Sequence, residues 1–160
     1  MTLPAGVQPG DVYTIFDYEF GDQQTADSKY YVVMGCYKGQ IAGFVTTSKE
    51  KGGRERKEGC HPGRGAFPWN FYLKTQGKPF QQGTWVILQI EWQGAHALTD
   101  RIAAGRAFRV LTFSDPQIRG LRNCFEKSEH WSDVCADFMY GGKMPKVETS
   151  SGNNSGKNPG

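Results

Sequence analysis

Several motifs that would assign this 160-residue chain to a known chemistry are missing from its sequence. Its four cysteines form no Cys-x-x-Cys pair, which argues against a zinc ribbon and against a thioredoxin-type redox motif. No GxSxG, HExxH, P-loop or dinucleotide-binding motif occurs, so nothing indicates a serine hydrolase, a zinc protease or a nucleotide-binding enzyme. We therefore expect a protein without a metal ion or any other cofactor.

Long apolar runs are also missing. None approaches the ~18 residues of a membrane span, and the N-terminus lacks the basic and apolar regions of a signal peptide. We expect a cytoplasmic protein with no membrane association and with reduced thiols. A disulfide between Cys124 and Cys135 is the alternative if the chain is exported.

The charge is balanced overall but clustered along the chain. The formal net charge of +3 does not by itself indicate nucleic-acid binding. Six basic residues nevertheless lie between Lys49 and Arg64, against Glu50, Glu55 and Glu58, and five arginines lie between Arg101 and Arg122, where Asp115 is the single acid. The positive charge is therefore clustered in two segments.

The arrangement of apolar residues predicts a mainly β fold. Glycine is abundant, with 21 residues, and alternating or β-branched runs predict six short strands. The predicted strands are 11–20, 29–35, 41–47, 70–74, 83–92 and 106–113, with a long loop at 48–68. Because helices follow the strands, we predict an α+β fold in which a small β-barrel carries C-terminal helices on its outside.

The end of the chain predicts helices and then a tail. Ser114 and Gln117 form a capping box, and Pro116 lies in the first helical turn. The apolar face of this helix comprises Ile118, Leu121, Cys124 and Phe125. A second helical segment is predicted over 131–138. The segment 141–160 is rich in Ser, Gly and Asn, so we predict one folded domain over 9–140 and a disordered tail.

A cation and several hydroxyls are predicted to meet at one end of a hairpin. Antiparallel pairing of 29–35 with 41–47 brings Lys29 beside Thr46, Thr47 and Ser48. Such a group could hold a phosphodiester and stabilise negative charge that develops on its oxygens. The alternative is that Lys29 is a solvated strand-end lysine and that the threonines are ordinary strand residues.

The basic loop that follows could track a nucleic-acid backbone. The candidate RNA-binding residues are Ser48, Lys49, Lys51, Arg54, Arg56 and Lys57. The alternative is that these charges are merely solvated. Two further groups are weaker candidates. Cys60 and His61 are adjacent but lack other ligands at standard spacing, and the carboxylates at 17, 19 and 22 more simply face solvent.

The motifs together resemble the MazF/PemK family of toxin endoribonucleases. The resemblance rests on "PGDVYTIFDYEFGDQQ", "KYYVVMG" and "GFVTTSK", in that order, and on the later "GTWVILQIEW" and "SDPQIRGLRNCFEKS". It covers about residues 9–139. It implies an SH3-like barrel, commonly a homodimer, that cuts single-stranded RNA without a metal ion in the cytoplasm and is neutralised by an antitoxin protein.

The resemblance also implies residue roles. Lys29 stands where the family has its catalytic arginine, Thr46 or Thr47 matches its catalytic Thr or Ser, and Gly10-Asp11 matches a structural turn. Lys29 lacks the planar fork of an arginine, and Tyr30 replaces a proline. The alternative function is therefore a catalytically inactive SH3-like module that binds nucleic acid or a protein partner.

Overall fold

A computed structural model describes residues 3–18, 27–48, 57–64, 68–74, 77–80, 83–132, 135 and 139. Within these residues the chain forms eight strands and two helices. The strands are β1 (Asp11–Tyr18), β2 (Asp27–Tyr37), β3 (Gln40–Thr47), β4 (Gly59–His61), β5 (Asn70–Leu73), β6 (Thr84–Ile87), β7 (Glu91–Gly94) and β8 (Ala107–Thr112). The helices are α1 (Ala95–Ala103) and α2 (Asp115–Glu126). The predicted mainly β, α+β class is confirmed.

The strands form one antiparallel sheet in the order β4-β5-β6-β3-β2-β1-β8, and β7 pairs with β3 as well. Strands β2 and β3 are joined by Lys38 and Gly39, whose φ angles are 52° and 79°. Two positive φ values define the tight turn whose twist suits a two-residue hairpin. The predicted pairing of 29–35 with 41–47 is confirmed, with Tyr31 opposite Val45 and Val33 opposite Gly43.

The predicted strand 83–92 is not one strand. Strand β6 pairs with the end of β3, where Thr46 lies opposite Val86, and β7 pairs with its start, where Gly43 lies opposite Glu91. Between these two pairs, β3 advances three residues, from Gly43 to Thr46, whereas the segment that joins β6 to β7 advances five, from Val86 to Glu91. Two residues of that segment therefore have no partner in β3 and bulge out of the ladder. A bulge of this kind bends a strand sharply.

Each face of the sheet carries its own apolar core. The helix-side core packs Val12, Val32, Phe44 and Val86 against α2. All four residues of the predicted apolar face of α2 are buried, and the predicted capping box at Ser114 is present. The opposite core contains Tyr13, Ile15, Tyr31 and Val45, with Leu98 from α1. Alternate residues of each strand therefore face different cores.

Three parts of the prediction need correction or lie outside the described residues. Helix α1 was not predicted, and it lies before β8 rather than at the C-terminus. Strand β4 lies inside the segment that was predicted to be a loop. Most of the predicted helical segment 131–138 is outside the described residues, although Cys135 is buried, and the whole predicted tail 141–160 is outside them. In the described part of the chain, no helix combines the length and apolarity needed to cross a membrane.

The cysteines depart from the expectation of reduced thiols. Cys60 of β4 and Cys124 of α2 form a disulfide with Cα atoms 5.5 Å apart, whereas Cys36 and Cys135 are free. The alternative pairing of Cys124 with Cys135 is therefore wrong too. The bond joins residues 64 apart in sequence. Constraining an unfolded loop of that length stabilises the native state by about 4 kcal/mol. The sequence could not indicate this pairing, because it depends on where α2 packs on the sheet.

Candidate functional site

The hairpin of β2 and β3 decides which threonine shares a face with Lys29. Continuing the register beyond Tyr31 and Val45 by two residues places Lys29 opposite Thr47. Paired residues of antiparallel strands lie on the same face, so Lys29 and Thr47 both lie on the face of the opposite core. Both are half-buried. A cation and a hydroxyl therefore share one face at one end of the sheet.

Thr46 lies on the other face. It is opposite Val86, is only 6% exposed, and follows Phe44 on the face of the helix-side core. Its hydroxyl is on the wrong side of the sheet to act together with Lys29. Of the two threonines that the sequence left open, the geometry favours Thr47.

Aromatic residues lie next to Thr47 across the sheet, on the same face as Lys29 and Thr47. Thr47 is opposite Trp85 in β6, and Trp85 is opposite Tyr72 in β5. The rings of Trp85 and Tyr72 have centroids 4.7 Å apart, and the His61 ring meets Trp85 at 4.9 Å in an edge-on arrangement. We call the residues Lys29, Thr47, Trp85, Tyr72 and His61 the site row.

Trp85 is the buried centre of the site row. It is 1% exposed, and its indole N–H finds no hydrogen-bond acceptor in the part of the chain that the structure describes. A buried donor without an acceptor has lost its hydration without compensation. Beside it, Thr84 donates its hydroxyl hydrogen to the carbonyl oxygen of Thr47 at 3.3 Å, which ties the ends of β3 and β6 together.

His61 connects the site row to the end of the basic segment. Its Nε2–H donates to the carbonyl oxygen of Lys57 at 2.6 Å, because a carbonyl can only accept. Lys57 is itself exposed. The contact therefore fixes where the Lys57 backbone lies relative to Trp85.

The remaining candidate RNA-binding residues divide into two groups. Ser48 is exposed at the end of β3, directly after Thr47. Lys49, Lys51, Arg54 and Arg56 lie outside the described residues, so the structure does not bring them to the site row or remove them from it. The carboxylates of the weaker acid–base candidate, Asp17, Glu19 and Asp22, also lie outside the described side chains.

The Gly10-Asp11 turn carries a buried carboxylate. Asp11 is 0% exposed and accepts hydrogen bonds from the Gln8 backbone N–H at 3.0 Å and from the Thr112 hydroxyl at 2.7 Å. The guanidinium of Arg109 lies 3.8 Å from the same carboxylate. Burial, and then the Asp11 charge, raise the pKa of Tyr13 above its ordinary value of 10.0, and Arg109 opposes them. Since its acceptors are occupied by the fold, Asp11 is a structural residue.

Neither Cys60 nor His61 belongs to a metal or nucleophile site here. The Cys60 sulfur is bonded to Cys124, so it is no thiolate nucleophile or ligand. Across the described ranges, no three His, Cys, Asp or Glu residues are grouped closely enough to hold a metal ion.

The sequence did not indicate Trp85 as a member of a site, it offered Tyr72 only as a stacking face beside the basic loop, and it offered His61 only together with Cys60. Trp85 and Tyr72 lie in predicted strands, where aromatic residues are ordinary core material. The alternation along 84–87, combined with the pairing of β6 to β3, is the signal that would have placed Trp85 beside Thr47. That pairing was not predicted.

Comparison with known proteins gives no independent identification. No family model, no curated protein and no solved structure matches the chain. Membership of the MazF/PemK family therefore stays a prediction from short sequence motifs.

Proposed function

We propose that the protein is a MazF/PemK-like toxin that cleaves single-stranded RNA without a metal ion. The observation that carries this proposal is the position of Lys29 and Thr47 on one face of neighbouring strands. A cation and a hydroxyl donor side by side suit the recognition of a single phosphodiester. RNA supplies its own nucleophile, the 2′-hydroxyl, so the protein has to supply only positioning and charge stabilisation.

In the proposed reaction the 2′-hydroxyl loses its proton to water and its oxygen bonds to the neighbouring phosphorus, which gives a 2′,3′-cyclic phosphate. The bond to the 5′-oxygen of the next nucleotide breaks, and that oxygen takes up a proton from water. Negative charge grows on the non-bridging oxygens as the phosphorus becomes five-coordinate. The Lys29 ammonium neutralises this charge, and the Thr47 hydroxyl donates a hydrogen bond to it. Donors that meet charge only as it develops lower the barrier more than donors that merely bind the substrate.

His61, the half-buried end of the site row, would contact the flanking nucleotide, while the buried Trp85 supports the His61 ring from below. Ser48 and Lys57 are exposed on either side and could contact further phosphates. The basic residues 49–56 extend this RNA-binding surface in the proposal.

The cellular setting belongs to the proposal as well. A toxin of this kind acts on cytoplasmic RNA, is held inactive by an antitoxin protein, and works as a homodimer. These three statements rest on the family resemblance. The Cys60–Cys124 disulfide argues against the cytoplasmic setting, since such bonds are rare in a reducing cytoplasm.

The second candidate is a binding module without catalysis. It is favoured by the lysine at position 29, because an ammonium cannot grip a phosphate through two parallel hydrogen bonds as a guanidinium does. It is also favoured by an exposed aromatic pair, Phe16 and Phe108, whose ring centroids are 5.7 Å apart on β1 and β8. Aromatic faces of this kind stack on unpaired bases. This candidate predicts RNA binding without cleavage.

The test is cleavage of a labelled single-stranded RNA in the presence of EDTA. We expect Thr47→Val to lower the cleavage rate by about 10²–10³-fold, the usual loss for one transition-state donor. The matched control is Thr46→Val, which makes the same chemical change on the other face and should leave the rate unchanged. We expect Lys29→Ala to lower the rate further and Lys29→Arg to retain cleavage.

Two outcomes would decide against the proposal. A substrate with 2′-deoxynucleotides throughout should resist cleavage, and its cleavage would exclude the proposed nucleophile. If the wild-type protein binds RNA in a salt-dependent way but cuts none of a mixed-sequence pool, the binding module is the correct function.

A further inference from the structure

Strand β4 is a short edge strand that one covalent bond ties to the rest of the fold. It has three half-buried residues at the sheet edge, and within the described residues it pairs with β5 alone. Short edge ladders are the parts of a fold that open most easily. The Cys60–Cys124 disulfide ties this strand to α2, which is anchored in the helix-side core.

The neighbouring strand β5 has its own attachment to α2. A Cβ added at Gly120 would lie 2.9 Å from Phe71 Cζ, so the Phe71 ring already touches the backbone of the helix. Strand β5 also pairs with β6 over four residues. Without the disulfide, β4 would keep only its three-residue ladder and its side-chain packing, whereas β5 would keep both α2 and β6.

The position of β4 matters to the site row. His61 is the last residue of β4; its ring packs on Trp85, and its Nε2–H donates to the carbonyl oxygen of Lys57. When β4 leaves β5, both His61 and Lys57 leave the end of the site row. The opposite end, with Lys29 and Thr47, is held by the long β2–β3 ladder and is unaffected.

We propose that the Cys60–Cys124 disulfide is a redox-dependent clamp that holds β4 at the site row, so that oxidation strengthens RNA binding and reduction weakens it. The RNA part of this proposal rests on the proposed function. The clamping of β4 does not depend on it, because it follows from the attachments of that strand.

The chemistry is thiol–disulfide exchange with a dithiol reductant. One thiolate of the reductant attacks the sulfur of Cys60, since Cys60 is half-buried whereas Cys124 is only 1% exposed. A mixed disulfide forms and the Cys124 thiolate leaves and takes up a proton. The second thiolate of the reductant then displaces Cys60 and itself becomes part of a disulfide. Two electrons and two protons pass to the cysteine pair.

The first experiment measures hydrogen exchange of the full chain, oxidised and reduced by dithiothreitol. We expect amides of the β4–β5 ladder, seen in peptides covering 57–64, to exchange at least tenfold faster after reduction. Amides of α2 and of the β2–β3 ladder should exchange at unchanged rates. Equal exchange of the β4 peptides in both states overturns the clamp, and faster exchange in every peptide overturns its local character.

The second experiment measures the dissociation constant for a labelled single-stranded RNA in both states. We expect reduction to raise the constant at least fivefold. The Cys60→Ala, Cys124→Ala double variant should bind like the reduced protein under both conditions. The matched control Cys36→Ala alters a free cysteine and should keep the full redox response.

The outcomes separate the two proposals. If RNA binds equally in both states while β4 exchanges faster on reduction, the clamp does not regulate the RNA site and that part is wrong. If RNA binds in neither state, the proposed function is wrong, and the exchange measurement still decides whether the disulfide clamps β4. If the double variant fails to fold, the dithiothreitol-treated wild-type protein supplies the same comparison.

Discussion

Gly43, in the middle of β3, is a position at which even the smallest side-chain addition should destabilise the fold. It lies opposite Val33, and a Cβ built there would overlap the carbonyl oxygen of Val32 and lie 2.5 Å from Tyr31 Cζ. The Tyr31 ring cannot move aside easily. It is fully buried, and its hydroxyl oxygen lies 3.0 Å from the Ile41 carbonyl and 2.5 Å from that of Glu91.

Two opposing effects set the magnitude for Gly43→Ala. Replacing a glycine by alanine lowers the entropy of the unfolded chain and stabilises the fold by about 0.4–1 kcal/mol. Overpacking a closely packed core costs about 1–3 kcal/mol. Since one of the overlapping atoms belongs to the backbone of the β2–β3 ladder, the steric cost should be near its upper limit. We expect a net loss of about 2 kcal/mol, which lowers the Tm of a chain this long by about 4–8 °C.

The assay is urea and thermal unfolding of the wild-type and variant proteins. Gly94→Ala is the control, because a Cβ there would lie 3.6 Å from Ala97 Cβ, an ordinary contact. It should cost only about 0.5 kcal/mol through the poorer N-cap of α1. In a Tyr31→Leu background the cost of Gly43→Ala should fall by about 1 kcal/mol, because the ring is gone. A Gly43→Ala protein as stable as the wild type, or an equal cost in both backgrounds, would refute the steric argument.

Two further predictions concern the buried turn at the start of β1. Asp11→Ala leaves the Thr112 hydroxyl and the Gln8 N–H without their acceptor. We therefore expect the free energy of unfolding, measured by urea titration, to fall by about 3 kcal/mol. An unchanged free energy would show that Asp11 is not a structural residue. Tyr13 has a raised pKa in the folded state, so its stabilising contribution is complete below about pH 10 and is lost as the pH rises through the raised pKa. We expect unfolding measurements between pH 8 and 11.5 to show a smaller alkaline loss for Tyr13→Phe than for the wild type, and identical pH profiles would contradict the raised pKa.

The features that the sequence predicted correctly are governed by neighbours in the chain. The β2–β3 hairpin follows from two apolar runs separated by Lys38 and Gly39, whose turn fixes which residues face each other. Helix α2 follows from the capping box at Ser114 and from apolar residues three and four positions apart. Both patterns act over a few residues, so the local sequence is sufficient to specify them.

The candidate site was predicted only in part. The hairpin register predicts Lys29 near the threonines, but the choice of Thr47 over Thr46 required knowing which face each core covers. Trp85 and His61 join the site through strand pairings between β3 and β6 and between β4 and β5. Such pairings join segments far apart in the sequence, and no local pattern specifies them.

The sequence by itself determined the strand-rich class, the hairpin that joins β2 to β3, and the amphipathic helix that covers one face of the sheet. The tertiary structure alone decided the bend between β6 and β7, the helix α1, the edge strand β4 and the pairing of Cys60 with Cys124. The physical reason is the same for all four. Each depends on which distant segment packs against it. Short strands, and a helix such as α1 with one fully buried residue, have weak local preferences. Burial against the distant segment and pairing with it outweigh those preferences.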